Sequence, residues 1–259
     1  ITGACIDTVE DRFDTFYIMD VQQIDETGSE MFSLTVEDDD NVNVSNTCTT
    51  FIQRNLDANF AAAYFPDLIM SNTDLGITNL RIPPTVAVMG MLSRNDNKFG
   101  VGVRPVGHIK GAMQDFAMMP KTILDDADIE KVFLNKINPI ASEGSTGLFA
   151  RSQQTTQNDQ SELSRIDIRR LMIEIRRIAR RLARRTLFEM NATNTHVAYR
   201  FALENSIRGF VASGLIDRFS VDIQKPTPAD KQANVFRGVV MIKPRALSQE
   251  LFIEVDPES

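Results

Sequence analysis

The stretch "SRIDIRRLMIEIRRIARRLARRTLFE", residues Ser164–Glu189, carries nine arginines and is the segment that most clearly indicates the fold of the second half of the chain. Its apolar residues recur at steps of three and four, which predicts an amphipathic helix with one face in a core. Those core positions are Ile168, Leu171, Met172, Ile175, Ile178, Ala179, Leu182 and Ala183. Ser164 is the predicted N-cap, and Asp167 stands three residues later in an arrangement that resembles a capping box.

The arginines of this helix are too many for solubility alone, and the stretch contains no lysine. Some of them cover apolar surface with their stems, but arginine is also favoured where planar contacts to carboxylate or phosphate matter. We therefore predict that this face binds a partner. The candidate interface residues are Arg169, Arg170, Arg176, Arg177, Arg180, Arg181, Arg184 and Arg185.

The distribution of charge favours an acidic protein as that partner. The chain has a formal net charge of -7 and a pI of about 5.0, yet residues 1–130 are strongly acidic and residues 131–259 are basic. Halves of opposite sign are typical of interaction surfaces. The acidic pI and the lack of aromatics among the arginines argue against nucleic acid. A nucleic-acid-binding module that uses helix 164–189 remains the alternative.

The order of predicted elements indicates a mixed fold of class α+β or α/β, with two domains, residues 1–135 and 136–259. The first half alternates strands and helices, as in an α/β domain. The second half reads as two strands, the arginine helix, a helix over Asn194–Gly214 and three more strands. This order predicts a two-layer domain in which two helices pack on a mainly antiparallel sheet. Residues 46–57 are also predicted to be helical, with Asn46 or Thr47 as the N-cap.

The sequence contains no residue pattern typical of a catalytic site, and we expect no enzymatic activity, no metal and no cofactor. His108 and His196 are far apart and lie in no triad pattern. Glycines at 100, 102 and 107 approach a dinucleotide fingerprint, but their spacing predicts a turn-rich loop; a cofactor enzyme at this loop is a third hypothesis. Cys5 and Cys48 are expected to be buried free thiols. No run is apolar and long enough for a membrane span.

Seven segments, in order, resemble the contractile tail sheath proteins of phages, R-type pyocins and related injection machines. They are "EDRFDTFYIMD", "NFAAAYFPDLIM", "IPPTVAVMGMLSRND", "INPIASEGSTGLFARS", "IRRLMIEIRRIARRLARRTLFEMN", "ALENSIRGFVASGLID" and "RALSQELFIEVD". Together they extend over nearly the whole chain. The details indicate a divergent member, from a very large phage, and the first residue, Ile1, indicates a fragment that lacks an N-terminal part.

The resemblance implies a structural protein of the virion that is assembled in the host cytoplasm. Subunits of that family form six-fold rings around an inner tail tube, and a trigger at the baseplate makes the sheath shorten and drive the tube through the host envelope. The implied partners are neighbouring sheath subunits, the tube protein and the baseplate, with no membrane, direct nucleic acid or cofactor. The C-terminal domain would lie closest to the tube.

The resemblance also implies how copies are linked. Sheath subunits add strands to a neighbour's sheet, which is β-augmentation. The last predicted strand supplies the strand-exchange candidates Leu251, Phe252, Ile253, Glu254 and Val255. The arginines would face carboxylates of neighbouring subunits or of the tube; the second helix and the segment "KPTPADKQANVFR" compete with them for the tube. Without a linking arm, the fragment alone is expected to be monomeric.

Overall fold

The computed structural model describes residues 16–21, 23, 42–53, 57–72, 76–113, 117–142, 147–159, 161–186, 193–223 and 238–245. The chain separates into two compact units, residues 1–174 and 175–259. The division predicted from the sequence lies after residue 135. In the structure, a strand before that point pairs with a strand after it, so one sheet contains both.

Unit 1, residues 1–174, contains eight strands in its described part. These are β1 (Tyr17–Asp20), β2 (Ala61–Phe65), β3 (Leu68–Asn72), β4 (Ile77–Ile82), β5 (Ala112–Met113), β6 (Ala117–Pro120), β7 (Ile137–Ser142) and β8 (Leu148–Ala150). Its helices are α1 (Val44–Gln53), α2 (Pro84–Phe99), α3 (Gly107–Lys110) and α4 (Asp126–Leu134), followed by a 3₁₀ turn at Glu162–Ser164. Helix α5 (Ile166–Thr186) begins here and continues into unit 2.

Five of these strands form one sheet in the order β1-β2-β7-β8-β5. β1, β2 and β7 run parallel, whereas β8 pairs antiparallel with both of its neighbours, β7 and β5. All of β2 is buried, as a strand covered on both faces must be. A second sheet, β4-β3-β6, is antiparallel.

The core of unit 1 lies on both faces of the five-stranded sheet. On one face, Tyr64 of β2 packs with Val88 and Met91 of α2. On the other face, Phe65 packs with Val132 of α4 and with residues of α1. Neighbouring residues of β2 point to opposite faces because side chains alternate along a strand, and this explains the unbroken apolar run "AAAYF".

Unit 2, residues 175–259, consists in its described part of the rest of α5, helix α6 (Thr193–Ala212) and the antiparallel strands β9 (Ile216–Ile223) and β10 (Gly238–Pro244). Two helices and an antiparallel pair of strands agree with the predicted C-terminal layer. The mixed helix-and-sheet fold class is confirmed. The predicted final strand, "ELFIEVD", lies outside the described residues.

Some predicted details need correction. Helix α1 begins at Val44, two residues before the expected start, because the side chain of Asn43 caps it and accepts the N–H of Asn46 at 2.9 Å. Asn46 and Thr47 are therefore inside the helix. Cys48 is buried and free, as predicted, whereas Cys5 lies outside the described residues.

Candidate subunit interface

The first half of the arginine helix α5 is internal to unit 1. Ile166 is fully buried in the core beside α2, and Asp167 is only 3% exposed. Arg165 donates two hydrogen bonds to the carboxylate of Asp167, from Nε at 3.2 Å and from Nη2 at 2.6 Å. Such a forked contact is among the stronger hydrogen-bonded pairs in proteins. The helix therefore begins in a buried, charge-paired setting.

Two of the eight predicted interface arginines belong to this internal half. Arg169 is 5% exposed, and its guanidinium lies over the ring of Phe60, 3.7 Å from the centroid. Arg170 bonds the carboxylate of Asp96, with both side chains largely buried. These two arginines are corrected from interface candidates to internal residues, because their partners within the chain enclose them.

The predicted N-terminal cap of α5 is also corrected. Ser164 belongs to the preceding 3₁₀ turn, and its hydroxyl donates to the carbonyl of Ser161 at 2.5 Å. Asp167 does not complete a capping box, since Arg165 engages its carboxylate oxygens. A charge-assisted contact with two hydrogen bonds is stronger than a single hydrogen bond to a backbone N–H.

The second half of α5 presents its arginines to solvent. The exposed ones are Arg177, Arg180, Arg181, Arg184 and Arg185, and Arg176 is half-buried. On the opposite side of the helix, Ile175 is buried, and Ile178 and Leu182 are half-buried. The predicted amphipathic pattern is confirmed here. We name these six residues, Arg176 to Arg185, the arginine face.

The remainder of unit 2 supports the arginine face. Helix α6 buries a residue at every fourth position, Tyr199, Leu203 and Ile207, as one helical face requires. The hydroxyl of Tyr199 donates to the carbonyl of Ala179 in α5 at 3.1 Å, which joins the two helices. Burial raises the pKa of the Tyr199 hydroxyl above its ordinary value.

Strands β9 and β10 form a two-stranded sheet with one covered and one outer face. Val221 is buried opposite Val240, whereas Met241 is 61% exposed opposite Ser220. Among the described strands, β9 and β10 pair only with each other, so the outer edge of each is open as far as those strands are concerned. Open edges accept further strands.

The loop with the three glycines is built from turns. Gly100, Gly102 and Gly107 all have positive φ, so the predicted turn-rich loop is confirmed. His108 packs its ring against Phe149, with the centroids 4.1 Å apart. No cluster of three metal-ligating side chains occurs among the described residues. Within the same residues, no helix combines the length and apolarity of a membrane span.

Sequence reasoning missed Asn138, which is fully buried in β7. Its amide donates to the carbonyls of Ala63, at 2.9 Å, and Gln154, at 2.8 Å. Its oxygen accepts the hydroxyl of Ser152 at 2.8 Å and the N–H of Gln154 at 2.6 Å. The signal was a single amide between Ile137 and Pro139 in an otherwise apolar strand.

The sequence is similar to that of a known tail sheath protein. No protein-family model matches the chain. Over 168 residues it is 24% identical to a tail sheath protein of Enterobacteria phage T4, a match that includes 64% of this chain and 25% of that protein. The chain thus spans about a quarter of the length of that relative.

Solved structures give the same picture of the fold. The chain is similar to the sheath complex of an extracellular contractile injection system, PVC, in the contracted state, with a TM-score of 0.74 and 20% identity over 94% of this chain and 64% of that one. It is also similar to the contracted helical sheath of the anti-feeding prophage, with a TM-score of 0.70 and 15% identity over 96% and 63% of the two chains. The resemblance to contractile tail sheath proteins that the ordered motifs predicted is confirmed, and the chain has the fold of that family.

Proposed function

We propose that this chain is a structural subunit of a contractile phage tail sheath. Copies would polymerise as six-fold rings around an inner tail tube and contract to drive the tube through the host envelope for genome delivery. The observation that supports this most is the similarity of fold to a contracted sheath over 94% of the chain, with a TM-score of 0.74. The sequence similarity to a phage tail sheath protein is independent support.

The arginine face is the proposed charged contact of the subunit. Its cations would meet carboxylates on neighbouring subunits or on the tube protein, and sequences as acidic as residues 1–130 offer many of them. A lattice that contracts needs contacts that break and form again, and wet, charged interfaces do this more readily than apolar ones. The guanidinium fork also fixes the geometry of each carboxylate contact.

The sheet β9–β10 is the proposed site of linkage between copies. Its open edges offer backbone N–H and C=O groups to an added strand, as in β-augmentation. Leu251 to Val255, the strand-exchange candidates of the sequence analysis, are the proposed donor. Such links persist while charged contacts exchange, so neighbouring copies stay joined during contraction.

A subunit of this kind consumes no nucleotide or cofactor, and we assign it no enzymatic role. The proteins that it resembles are structural sheath proteins. The free energy for contraction would reside in the packing of subunits at assembly. Assembly would take place in the host cytoplasm, and the baseplate would release the stored arrangement.

Negative-stain electron microscopy of the protein in its full length, expressed alone, tests the proposal. We expect long hollow tubes with six-fold symmetry. Dispersed particles would contradict the proposal if they also bound a DNA probe in a gel-shift experiment at low salt, with an affinity that falls steeply as the salt concentration rises. That result would favour the nucleic-acid alternative.

The contribution of the arginine face is tested separately. The double change Arg181→Glu and Arg184→Glu should prevent tubes or shorten them, because it reverses two exposed charges without touching the core. The matched control is Lys131→Glu with Arg208→Glu, which reverses two cations that are 52% and 63% exposed and lie outside the arginine face and the sheet β9–β10. Equal effects of the two double changes would show that net charge, and not the arginine face, governs assembly.

A further inference from the structure

A groove on unit 1 has an apolar interior and an acidic rim. It has a volume of about 370 Å³ and lies where α4 meets the end of β7. Leu124, Ile129 and Ile140 are among its apolar lining residues, and Asp125 and Asp126 stand at its rim. The groove is open to solvent, and its lining carries two carboxylates and one guanidinium, that of Arg151, so it favours a cationic occupant.

Two residues at the mouth of the groove are strongly exposed. Ile123 lines the groove and is 86% exposed, and the side chain of Asp126 is 94% exposed. Across the groove, Nη2 of Arg151 lies 3.8 Å from Oδ1 of Asp126, a long distance for an ion pair. An exposed apolar surface rimmed by polar groups is typical of an interaction site.

A second feature of unit 1 has the opposite charge and a matching apolar centre. Ile109, in the short helix α3, is 75% exposed. Next to it, the ammonium group of Lys110 lies over the ring of Phe99 at 5.7 Å, and that of Lys98 lies over the same ring at 5.3 Å. These contacts bring two cations to the ring of Phe99, and Ile109 directly precedes one of them in the chain. We name Lys98, Phe99, Ile109 and Lys110 the basic knob.

We propose that the basic knob of one copy docks in the acidic-rimmed groove of the next copy. Ile109 would enter between Ile123 and Ile129, and Lys110 would approach the carboxylate of Asp126. The charges are complementary, and the groove has room for an isoleucine side chain and the apolar stem of a lysine. Opposite charges fix the register of such a contact and speed its formation.

A second copy is the occupant because both halves of the contact belong to the same chain. A contact between two different surface patches does not saturate in a pair, so each copy keeps one groove and one knob to offer. Such a contact builds rings or open helices and not closed two-fold dimers. This inference rests on the proposed function and names a subunit contact within it, apart from the arginine face.

Cysteine cross-linking in the full-length protein tests the contact. In a background of Cys5→Ser and Cys48→Ala, chains with Ile109→Cys are mixed with chains with Ile123→Cys and oxidised mildly. We expect disulfide-linked dimers in the mixture and not in either variant alone. The matched control replaces Ile123→Cys by Ile52→Cys, which alters an exposed isoleucine of α1 that is 53% exposed. Cross-links of equal yield with Ile52→Cys would overturn the proposal.

Charge exchange provides a second measurement. Lys110→Glu and Asp126→Lys should each raise the concentration needed for assembly about tenfold, and the two together in one chain should restore it. Tubes that form normally while the mixture gives no specific cross-link and the charge changes have no effect would overturn this contact and leave the proposed function intact. Absence of tubes from the unaltered protein would overturn both.

Discussion

The guanidinium of Arg170, in the first half of α5, bonds the carboxylate of Asp96 in α2. The pair joins the arginine helix to the helix that covers one face of the five-stranded sheet, and both side chains are mostly buried, at 14% and 24% exposure. Tyr64 lies below it in the core, where burial raises the pKa of its hydroxyl although the charge of Arg170 opposes the shift. The first half of α5 thereby acts as an anchor for the helix.

Loss of this ion pair should be costly. Arg170→Met keeps the apolar stem but leaves Asp96 without its cation, and it should lower the free energy of unfolding by about 3 kcal/mol. Urea denaturation followed by circular dichroism measures the change. Arg181→Met is the matched control, because it makes the same change at an exposed position of the same helix and should alter stability by less than about 0.5 kcal/mol. A similar small effect at both positions would show that the pair does not anchor the helix.

Loss of the buried amide of Asn138 should lower the free energy of unfolding by a similar amount. Asn138→Ala removes four hydrogen bonds and leaves the carbonyl of Ala63 and the hydroxyl of Ser152 without that partner, so we expect a loss of about 3 kcal/mol in the free energy of unfolding. Ser152→Ala removes a single bond and should cost about 1 kcal/mol. Thermal or urea denaturation of the two variants distinguishes these values. If Asn138→Ala were the milder change, the network would not bind β2, β7 and the segment after β8 together.

The core face of α5 was predictable from the sequence because helical periodicity is a local property. The internal position of Arg169 and Arg170 was not, since it depends on Phe60 and Asp96, and Asp96 is 74 residues away from Arg170 in the chain. Periodicity shows which face of a helix is apolar but does not show which charges of its flank will meet a buried counter-charge. The arginines in the first half and the second half of α5 look alike in the sequence for this reason.

Helix starts show the same limit on a smaller scale. Asn43 and Asn46 are both good capping residues, and only the backbone geometry shows that Asn43 caps α1. Similarly, Asp167 has the spacing of a capping box, but the forked contact with Arg165 takes its carboxylate. The predicted division after residue 135 separates β2 from β7, and the parallel pairing of Ala63 with Ile137 that joins these strands is non-local and therefore not visible in the sequence.

The start of α2 depends on a carboxylate from another element. Asp20, at the end of β1, accepts the N–H of Thr85 at 3.0 Å and its hydroxyl at 3.1 Å, whereas Pro83 at the cap position offers no side-chain bond. Asp20→Ala should therefore lower the free energy of unfolding by about 1 kcal/mol. Thr85→Val keeps the backbone donor, removes only the hydroxyl, and should have a smaller effect in the same denaturation experiment. The reverse order would assign the stabilisation to the hydroxyl and not to the helix end.

The arginine face should also make assembly sensitive to salt. Exposed ion pairs are screened over about 8 Å at physiological ionic strength, so tubes that depend on Arg181 and Arg184 should need a higher protein concentration as salt increases. Sedimentation of tubes from unaltered protein at increasing sodium chloride measures this dependence. Tubes that the Arg181→Glu, Arg184→Glu variant still forms should show a weaker dependence than those of the Lys131→Glu, Arg208→Glu control. Equal dependence in both variants would place the salt-sensitive contact elsewhere.

Asp67 should make stability depend on pH in the acid range. Its carboxylate accepts Nε of Arg81 at 2.5 Å, yet burial raises its pKa above the ordinary 3.8, and the charge of Arg81 offsets only part of the shift. Because the pKa is higher in the folded than in the unfolded state, the stabilisation from this titration is fully present below 3.8. It is lost as the pH rises through the raised folded-state value.

The variant Asp67→Asn isolates this effect, since an amide does not titrate. The free energy of unfolding of the unaltered protein minus that of the variant should fall as the pH rises from about 3 to about 7, with a constant offset from the loss of the charge beside Arg81. Urea denaturation at a series of pH values gives that difference directly. A difference that rises with pH at position 67 would mean that the attraction of Arg81 outweighs burial, and the pKa of Asp67 would then lie below its ordinary value.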